Sequence, residues 1–274
     1  MNSCDICKKG ALRKIALNGF SVLKCRTCSF GRLEILPDVE SANKIYGTEY
    51  FDEKSEPDHL KDSKKKYLFV KNYLEGNNTI LDFGCGTGNF LLAAKADGHY
   101  IYGHDISQHA AQVASKRLNA NVTSGPVSEE TFNEGQFDCI TCFDVIEHLP
   151  DYRDKIRLFQ RWLKPEGLLF ITTPNINSWD AAVLGKRWYG FKKYPEHVVY
   201  FSPKSMMELL KSEGFDIQKI KVWGFVRSFK YIVEHLFQHG WMRKILMRTI
   251  DKLGLDLAEL YLPMVDMLVV AKKH

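Results

Sequence analysis

The sequence predicts an α/β protein in which a doubly wound, mostly parallel sheet is covered by helices on both faces and preceded by a small cysteine-rich ribbon. Strand-like apolar runs alternate with helical stretches from about residue 79 to residue 174, which is typical of a parallel sheet. A glycine-rich turn follows the first of these strands. Four of the seven cysteines form two C-x-x-C pairs near the N-terminus.

Composition limits the function classes without choosing one. The chain has 274 residues and a net charge of +5, so it can hold one catalytic domain and a small appendage. This charge is compatible with binding a nucleic acid, an acidic membrane surface or a phosphorylated substrate, but a small net charge is equally common in proteins where it serves only solubility. The polar N-terminus MNSCDICKKG and the lack of a long apolar run predict a cytoplasmic protein.

The paired cysteines predict a structural zinc site. Cys4 with Cys7 and Cys25 with Cys28 have the spacing of two zinc knuckles. A redox pair or disulfides would suit a secreted or thioredoxin-like chain, which this one does not resemble. Four thiolates complete a tetrahedral shell, so the zinc holds the ribbon together and activates no water. We assign residues 1–33 to this zinc ribbon, with a short hairpin in the strand-like GFSVLKC and SFGRLEI.

Residues 34–75 are predicted to connect the ribbon to the sheet. Residues 34–57 are polar but include YGTEYF, whose aromatic side chains either pack the ribbon onto the main domain or close over a cofactor. A Lys-rich helix at 58–75 follows as a lid.

The main domain is predicted from residue 76 to residue 274. Its first five strands are ILDFG, YIYGHD, ANVTSG, FDCITCFDV and GLLFITTPN, with helices at 88–96, 107–118 and 151–163. A further helix begins at the Ser202 cap, and FDIQKIKVWGF and DMLVVAKK complete the sheet as an antiparallel pair. Two segments, 175–201 and 225–262, are predicted insertions for substrate or lid functions.

The glycine turn predicts a nucleoside-binding half-domain. In ILDFGCGTGNF, Asp82 precedes Gly84, Gly86 and Gly88, and the absence of Cβ atoms lets the backbone approach a ligand. A dinucleotide fingerprint would place Gly or Ala at position 89, where Asn stands. Asp105 at the tip of the next strand is placed to accept hydrogen bonds from both ribose hydroxyls.

This arrangement resembles motif I of class I S-adenosylmethionine-dependent methyltransferases. The resemblance implies a seven-stranded Rossmann-like sheet with the last strand antiparallel, and S-adenosylmethionine as cofactor. Because no acidic residue ends the third strand, backbone groups near Gly125 to Val127 are expected at the adenine. The cofactor-binding residues expected from this resemblance are Asp82, Gly84, Gly86, Gly88, Asp105, Ile106, Phe143 and Tyr50.

CFDVIEHLPD, after the fourth strand, supplies candidate catalytic groups. In a helical turn, Asp144, Glu147 and His148 would share one face. His148 is then a general base, a ligand of a divalent cation together with the two carboxylates, or a hydrogen-bonding partner of backbone and cofactor. In similar ubiquinone-pathway O-methyltransferases the E-x-x-E-H positions are associated with a metal, and this chain departs from them at Asp144.

His197 in YPEHVVYFS is the second candidate base, with Glu196 beside it, and a capping or packing role is the alternative. EHVVYF together with the zinc ribbon is similar to bacterial and archaeal methyltransferases, many of which occur with polysaccharide or nucleotide-sugar pathways. The resemblance predicts methyl transfer from S-adenosylmethionine but indicates the substrate poorly. We expect most simply O-methylation of a small-molecule or glycan or lipid-linked acceptor, with His148, His197 and Glu147 as candidate catalytic residues.

Three alternatives stay open. An RNA methyltransferase with a zinc ribbon would use the run Lys64, Lys65 and Lys66, but the Asp/Asn-Pro-Pro-aromatic signature and a Pro-Cys nucleophile are absent, so nucleic acid is not the expected partner. An NDP-sugar C-methyltransferase would carry a large extra C-terminal domain. A binding module without activity is opposed by the intact glycines. The basic amphipathic stretch 225–262 either covers the sheet or meets anionic lipid.

Overall fold

A computed structural model describes residues 3–43, 56–228, 233, 241–254 and 259–274. A seven-stranded sheet forms the centre of the molecule, in the order β10-β11-β8-β7-β4-β5-β6. All neighbouring strands are parallel except at β11, which is antiparallel to both β8 and β10. The predicted fold class is therefore confirmed. The strands of this sheet are β4 Thr79–Phe83, β5 Tyr100–Asp105, β6 Val122–Ser124, β7 Phe137–Phe143, β8 Leu163–Pro174, β10 Phe215–Ser228 and β11 Glu259–Lys273.

Alternation along the strands divides the core between the two sheet faces. Leu81 and Ile140 belong to one buried apolar cluster, whereas their neighbours Ile80 and Cys139 belong to another. Helices pack on both clusters because successive strand residues point to opposite faces. The described helices are α1 Val39–Asn43, α2 Glu56–Lys71, α3 Asn89–Ala96, α4 Gln108–Leu118, α5 Tyr152–Trp162, α6 Trp179–Leu184, α7 Tyr189–Lys192, α8 Pro203–Ser212 and α9 Trp241–Leu253.

The N-terminal ribbon forms a second, four-stranded antiparallel sheet. It contains β1 Leu12–Ala16, β2 Ser21–Cys25, β3 Gly31–Leu33 and β9 Val199–Tyr200. β9 comes from the segment 175–201, and the hydroxyl of Ser202 just after it donates a 2.6 Å hydrogen bond to the carbonyl of Cys28. The ribbon is thus tied to the main domain by backbone pairing as well as by packing.

Two local expectations were wrong. The helical turn after β7 begins only at Ile146, because Asp144 has a positive φ of 58° and leaves the strand in the left-handed region. The segment 225–262 is not helical at its ends: β10 continues to Ser228 and β11 begins at Glu259, with α9 between them. Cross-strand pairing from Phe225↔Leu262 to Ser228↔Glu259 satisfies their backbone groups there.

No helix in the described part of the chain is long and apolar enough to cross a membrane.

Candidate functional site

The glycine turn lies at the carboxyl end of β4 and is tied to β5. The N–H groups of Gly84 and Cys85 both donate to the carbonyl of His104, at 2.7 and 3.0 Å. Gly84 has a φ of +81°, and a Cβ there would lie 2.2 Å from the side chain of Val145. This position therefore requires glycine on two counts, conformation and space.

A cavity opens above this turn, where doubly wound sheets bind ligands. It is lined by five of the residues predicted to contact the cofactor: Gly84, Gly86, Asp105, Ile106 and Phe143. The stretch 125–127 also lines it, where the sequence places the adenine, and so do Val145 and His148.

Asp105 is fixed at the mouth of this cavity by backbone donors. Its Oδ2 accepts the N–H of Gly86 at 2.8 Å and its Oδ1 accepts the N–H of Ser107 at 2.9 Å. Burial raises the pKa of this carboxyl group, and the two N–H donors oppose that rise. Each oxygen retains a second lone pair, so the position fits a ribose diol.

Two residues predicted to bind the cofactor, Asp82 and Gly88, do not line the cavity, and a third lies outside the described residues. Asp82 is buried beneath the turn, where Thr141 donates to it at 2.7 Å and burial raises its pKa to about 7. Gly88 instead gives α3 room to pack, since a Cβ there would lie 2.8 Å from Leu118 Cδ1. Tyr50 lies outside the described residues.

Asp144 is not part of the group that Glu147 and His148 form with His197, and its carboxylate is engaged elsewhere. Lys66 Nζ lies 2.5 Å from its Oδ2, and the hydroxyl of Thr172 donates to its Oδ1 at 2.7 Å. Burial favours the neutral acid, but the Lys66 ammonium and the Thr172 hydroxyl together hold the pKa of Asp144 below its usual value. The sequence indicated Lys66 only as part of a lysine run that could meet nucleic acid, not as a partner of Asp144.

Glu147, His148 and His197 come together beside the cavity. Their ligand-capable atoms all lie within 4.8 Å of one another, and the two imidazole rings are 4.8 Å apart at 79°. The N–H of Val198 donates to the carbonyl of Glu147 at 2.9 Å, which holds the two segments in register. The two candidate bases proposed from distant parts of the sequence are therefore neighbours.

Both imidazoles are neutral at physiological pH. Burial lowers the pKa of His148 to about 4 and lowers that of His197 well below its usual value. His148 Nδ1 lies 3.0 Å from the carbonyl of Glu196, and because a carbonyl only accepts, that nitrogen carries the proton. Burial, and then the charge of Asp144, raise the pKa of Glu147 to about 8.

The four predicted zinc ligands form a compact sulfur cluster. Cys4 and Cys28 Sγ atoms are 3.5 Å apart, and those of Cys7 and Cys25 are 3.6 Å apart. Tetrahedral zinc with bonds of about 2.3 Å places its sulfurs about 3.8 Å apart, so this donor set fits the metal. Gly10 permits it, since a Cβ there would lie 2.1 Å from Cys25 Sγ.

A known family matches residues 54–220, more than half of the chain, under the description "Methyltransferase domain". The chain belongs to this methyltransferase family. The prediction made from the glycine turn and Asp105 is thereby confirmed.

The chain is similar to two curated enzymes and to a solved structure. The chain is 29% identical to the "Ubiquinone biosynthesis O-methyltransferase" of Thiobacillus denitrificans over 52% of its own length and 66% of that protein's. It is 30% identical to the Escherichia coli protein of the same name over 48% and 55%. The chain thus spans less than two thirds of these relatives. A SAM-dependent methyltransferase structure from Archaeoglobus fulgidus is 22% identical, covers 80% of this chain and 97% of its own, and has a TM-score of 0.55, which shows a shared fold.

The family and the fold both support S-adenosylmethionine as the cofactor of this methyltransferase. The geometry fits it independently: a Cβ-free turn at Gly84, a carboxylate at Asp105 fixed for a ribose, and a cavity that extends to the 125–127 stretch.

Proposed function

We propose that this methyltransferase transfers the methyl group of S-adenosylmethionine to a hydroxyl oxygen of a small-molecule or glycan-type acceptor, free or lipid-linked. The observation that carries the proposal is the cluster of Glu147, His148 and His197, of which His148 also lines the cofactor cavity. A hydroxyl acceptor must lose its proton, and it needs such polar groups close to the transferred methyl. The ubiquinone-pathway relatives, which carry O-methyltransferase in their names, support the same reaction type.

The residues of this chain position the cofactor and the acceptor and take up the proton of the acceptor hydroxyl. S-adenosylmethionine, when bound, provides a methyl group already activated on sulfur. Gly84 admits the ligand against the backbone, and Asp105 orients its ribose. The cluster reaches the cavity through His148, where it activates the acceptor hydroxyl and takes up its proton as the new C–O bond forms and the methyl–sulfur bond breaks.

The bonding of the transferred methyl tests this proposal. We would incubate the full chain with S-adenosylmethionine carrying a ¹³C-methyl group and with panels of phenols, nucleotide sugars and oligosaccharides, and read the product by NMR. A methyl carbon bonded to oxygen supports the proposal. A methyl bonded only to nitrogen or carbon, or transfer only to RNA, contradicts it.

Variants of the cluster provide a second test. We expect His148→Ala and Glu147→Gln to lower turnover at least tenfold. In Glu147→Gln, S-adenosylmethionine affinity should stay within twofold, since Glu147 does not line the cavity and Asp105 and the glycine turn are untouched. His109→Ala, an exposed histidine on α4, is the matched control. Normal turnover in both cluster variants would exclude this role.

The structure gives the nucleic-acid alternative little support. Of the three lysines that suggested it, Lys66 is buried and paired with Asp144, so it is not available for a phosphate backbone.

We also propose that Cys4, Cys7, Cys25 and Cys28 hold one structural zinc ion in a protein of the cytoplasm. None of the seven cysteines is in a disulfide, and the four Sγ atoms of this set all lie within 4.8 Å of one another. Thiolate sites of this kind suit a reducing compartment. Metal analysis should find about one zinc per chain that is lost in Cys25→Ser and kept in Cys139→Ser, and equal zinc in the two variants would refute the site.

A further inference from the structure

A second cavity lies on the N-terminal ribbon, apart from the glycine turn. Its volume of about 400 Å³ falls within the range of roughly 300 to 1,000 Å³ that is typical of ligand sites. The tip of the first ribbon hairpin and the end of β3 with the two residues after it form most of its walls, and Tyr194 completes them from the segment 175–201. The family match begins at residue 54, so all of these walls except Tyr194 lie outside the matched range.

The hairpin tip brings an aromatic side chain to this cavity. Asn18-Gly19 is a typical sequence for a two-residue turn between antiparallel strands, and Gly19 has the positive φ, +83°, that such a turn requires. The N–H of Leu17 donates to the carbonyl of Phe20 at 2.9 Å and closes the turn. The ring of Phe20 then lies flat on that of Tyr194, with the ring centroids 4.1 Å apart at an angle of 5°. Two distant parts of the chain thus build one aromatic platform.

The platform is rigid on one side and open on the other. Phe20 packs against the main apolar cluster of the molecule, whereas Tyr194 is 44% exposed and lines the cavity. The face of an aromatic ring carries a partial negative charge, which attracts the weakly positive C–H groups on the flat side of a sugar ring. The platform therefore fits a saturated, hydroxylated ring.

Polar groups at the edge of the cavity favour a sugar over an apolar chain. Glu34 and Ser21 line the cavity, and Lys14 Nζ lies 2.9 Å from Oε1 and 2.6 Å from Oε2 of Glu34. This ion pair holds the carboxylate in place, and each of its oxygens can accept a further hydrogen bond. Sugar hydroxyls supply such donors, whereas an alkyl chain would leave the carboxylate without them.

The cavity is tied by backbone to the cluster of Glu147, His148 and His197. The N–H of His197 donates to the carbonyl of Lys193 at 3.0 Å, so Tyr194 lies within the hydrogen-bonded turn that ends at His197. Three residues span at most about 11 Å, which sets the greatest distance between the Cα atoms of Tyr194 and His197. An acceptor with one ring at the cluster therefore reaches the cavity with a later ring.

We propose that this cavity is a remote subsite for an oligosaccharide acceptor, in which one sugar ring stacks on Tyr194 and donates a hydroxyl hydrogen bond to Glu34. The subsite rests on the proposed methyl transfer to a hydroxyl and narrows its acceptor to the glycan class. It also gives the ribbon a part in substrate binding, because the ribbon supplies Phe20 and Glu34.

Saturation-transfer NMR on the full chain tests the subsite without any methyl transfer. The probes are neutral tetrasaccharides of glucose, mannose and N-acetylglucosamine, and octyl glucoside. We expect at least one tetrasaccharide to bind the wild type and to bind Tyr194→Ala at least tenfold more weakly. Tyr194→Phe keeps the platform, so its affinity should stay within twofold of the wild type. Tyr100→Ala, at an exposed tyrosine of the main sheet, is the matched control and should also stay within twofold.

The outcomes separate this subsite from folding and from the proposed function. Circular dichroism and the Tm report the fold of each variant, and Tyr194→Phe answers for the ring if Tyr194→Ala does not fold: its loss of binding would overturn the stacking. Binding of no tetrasaccharide, equal binding by Tyr194→Ala, or saturation of only the alkyl protons of octyl glucoside would overturn the sugar site. A methyl group on a sugar oxygen together with unchanged binding in Tyr194→Ala would leave the proposed function standing without the subsite. Tyr194-dependent sugar binding with methyl transfer only to nitrogen or carbon would refute the proposed function and keep the sugar site.

Discussion

At the scale of single residues, Asp105 links the glycine turn to α4 through the N–H groups of Gly86 and Ser107. We expect Asp105→Ala to weaken S-adenosylmethionine binding by about 1.5 to 3 kcal/mol, roughly ten- to a hundredfold, because a charged hydrogen-bond acceptor is lost at the ribose. Isothermal titration calorimetry measures this, with His109→Ala on α4 as the control. Unchanged affinity in Asp105→Ala would remove the residue from the cofactor site.

His104 gives a prediction about pH. The side chain is 3% exposed, its Nδ1 lies 3.1 Å from Thr123 Oγ1, and its ring stacks on Phe83 at 4.8 Å. Burial, with a smaller effect of Lys155, lowers its pKa to about 4. The unfolded chain, with a histidine pKa near 6.5, therefore binds more protons than the folded chain between these values.

The stability that His104 contributes is thus complete above about pH 6.5 and is lost as the pH falls toward 4, by up to roughly 3 kcal/mol. His104→Gln should flatten the fall of the free energy of unfolding between pH 7 and pH 5, as measured by urea unfolding. His109→Gln, exposed on α4, should follow the wild type. Parallel curves for the wild type and His104→Gln would show that the ring titrates normally.

At the scale of elements, α2 is anchored to the sheet by the ion pair between Lys66 and Asp144. Lys66→Met should lower the free energy of unfolding by about 2 kcal/mol, because Asp144 would keep its charge without its strongest partner. Lys64→Met, at an exposed position of the same helix, should change it by less than about 0.5 kcal/mol. Thermal and urea unfolding compare the two variants. Equal decreases in the free energy of unfolding would mean that the ion pair does not stabilise the fold.

α9 is the described part of the segment that the sequence linked to anionic lipid. Ile245 and Leu253 are 52% and 63% exposed, and Arg248 and Lys252 are exposed on the same helix. If this face meets a membrane, the full chain should float with phosphatidylserine vesicles at low salt, and Arg248→Glu with Lys252→Glu should abolish flotation. The same pair of charge reversals leaving flotation unchanged, or no flotation of the wild type, would contradict lipid contact.

Local sequence patterns were sufficient to predict most helices and strands and the cofactor side of the candidate site. The alternating strands, the glycine turn and Asp105 are encoded in short stretches, and the structure has them where the sequence places them. The role of Lys66 was missed because the lysine run suggested only a nucleic-acid contact, and the carboxylate that pairs with Lys66 in the interior comes from a distant part of the chain, Asp144. The prediction of helices at the ends of segment 225–262 was wrong because these two ends pair with each other as antiparallel strands, and this long-range pairing decides their conformation.

At the scale of the whole molecule, the ribbon and the candidate site are connected through backbone hydrogen bonds. Leu33 N–H donates to the carbonyl of Val198, and Val198 N–H donates to the carbonyl of Glu147, both at 2.9 Å. The sequence predicted the ribbon and the two histidines separately. It could not predict this connection, because nothing local pairs β3 with β9.

Removal of zinc should therefore affect turnover more than cofactor binding. Cys25→Ser should lower the Tm and reduce turnover several-fold, since β9 and His197 lose their support, whereas S-adenosylmethionine affinity should stay within twofold. Cys139→Ser, a thiol change within the main sheet, controls for loss of a buried sulfur. A variant that lost zinc but kept full turnover would show that the ribbon and the site are independent.

The pairing of Gly31 with Tyr200 also has a consequence for synthesis on the ribosome. The four proposed zinc ligands precede the main domain in the chain, so they are translated before it. β3 nevertheless stays an open edge until β9 is translated, and open edges are templates for pairing with other chains. A nascent ribbon that has taken up the proposed zinc ion therefore lacks the backbone hydrogen bonds of β9 for an interval, and slow translation over the main domain lengthens that interval.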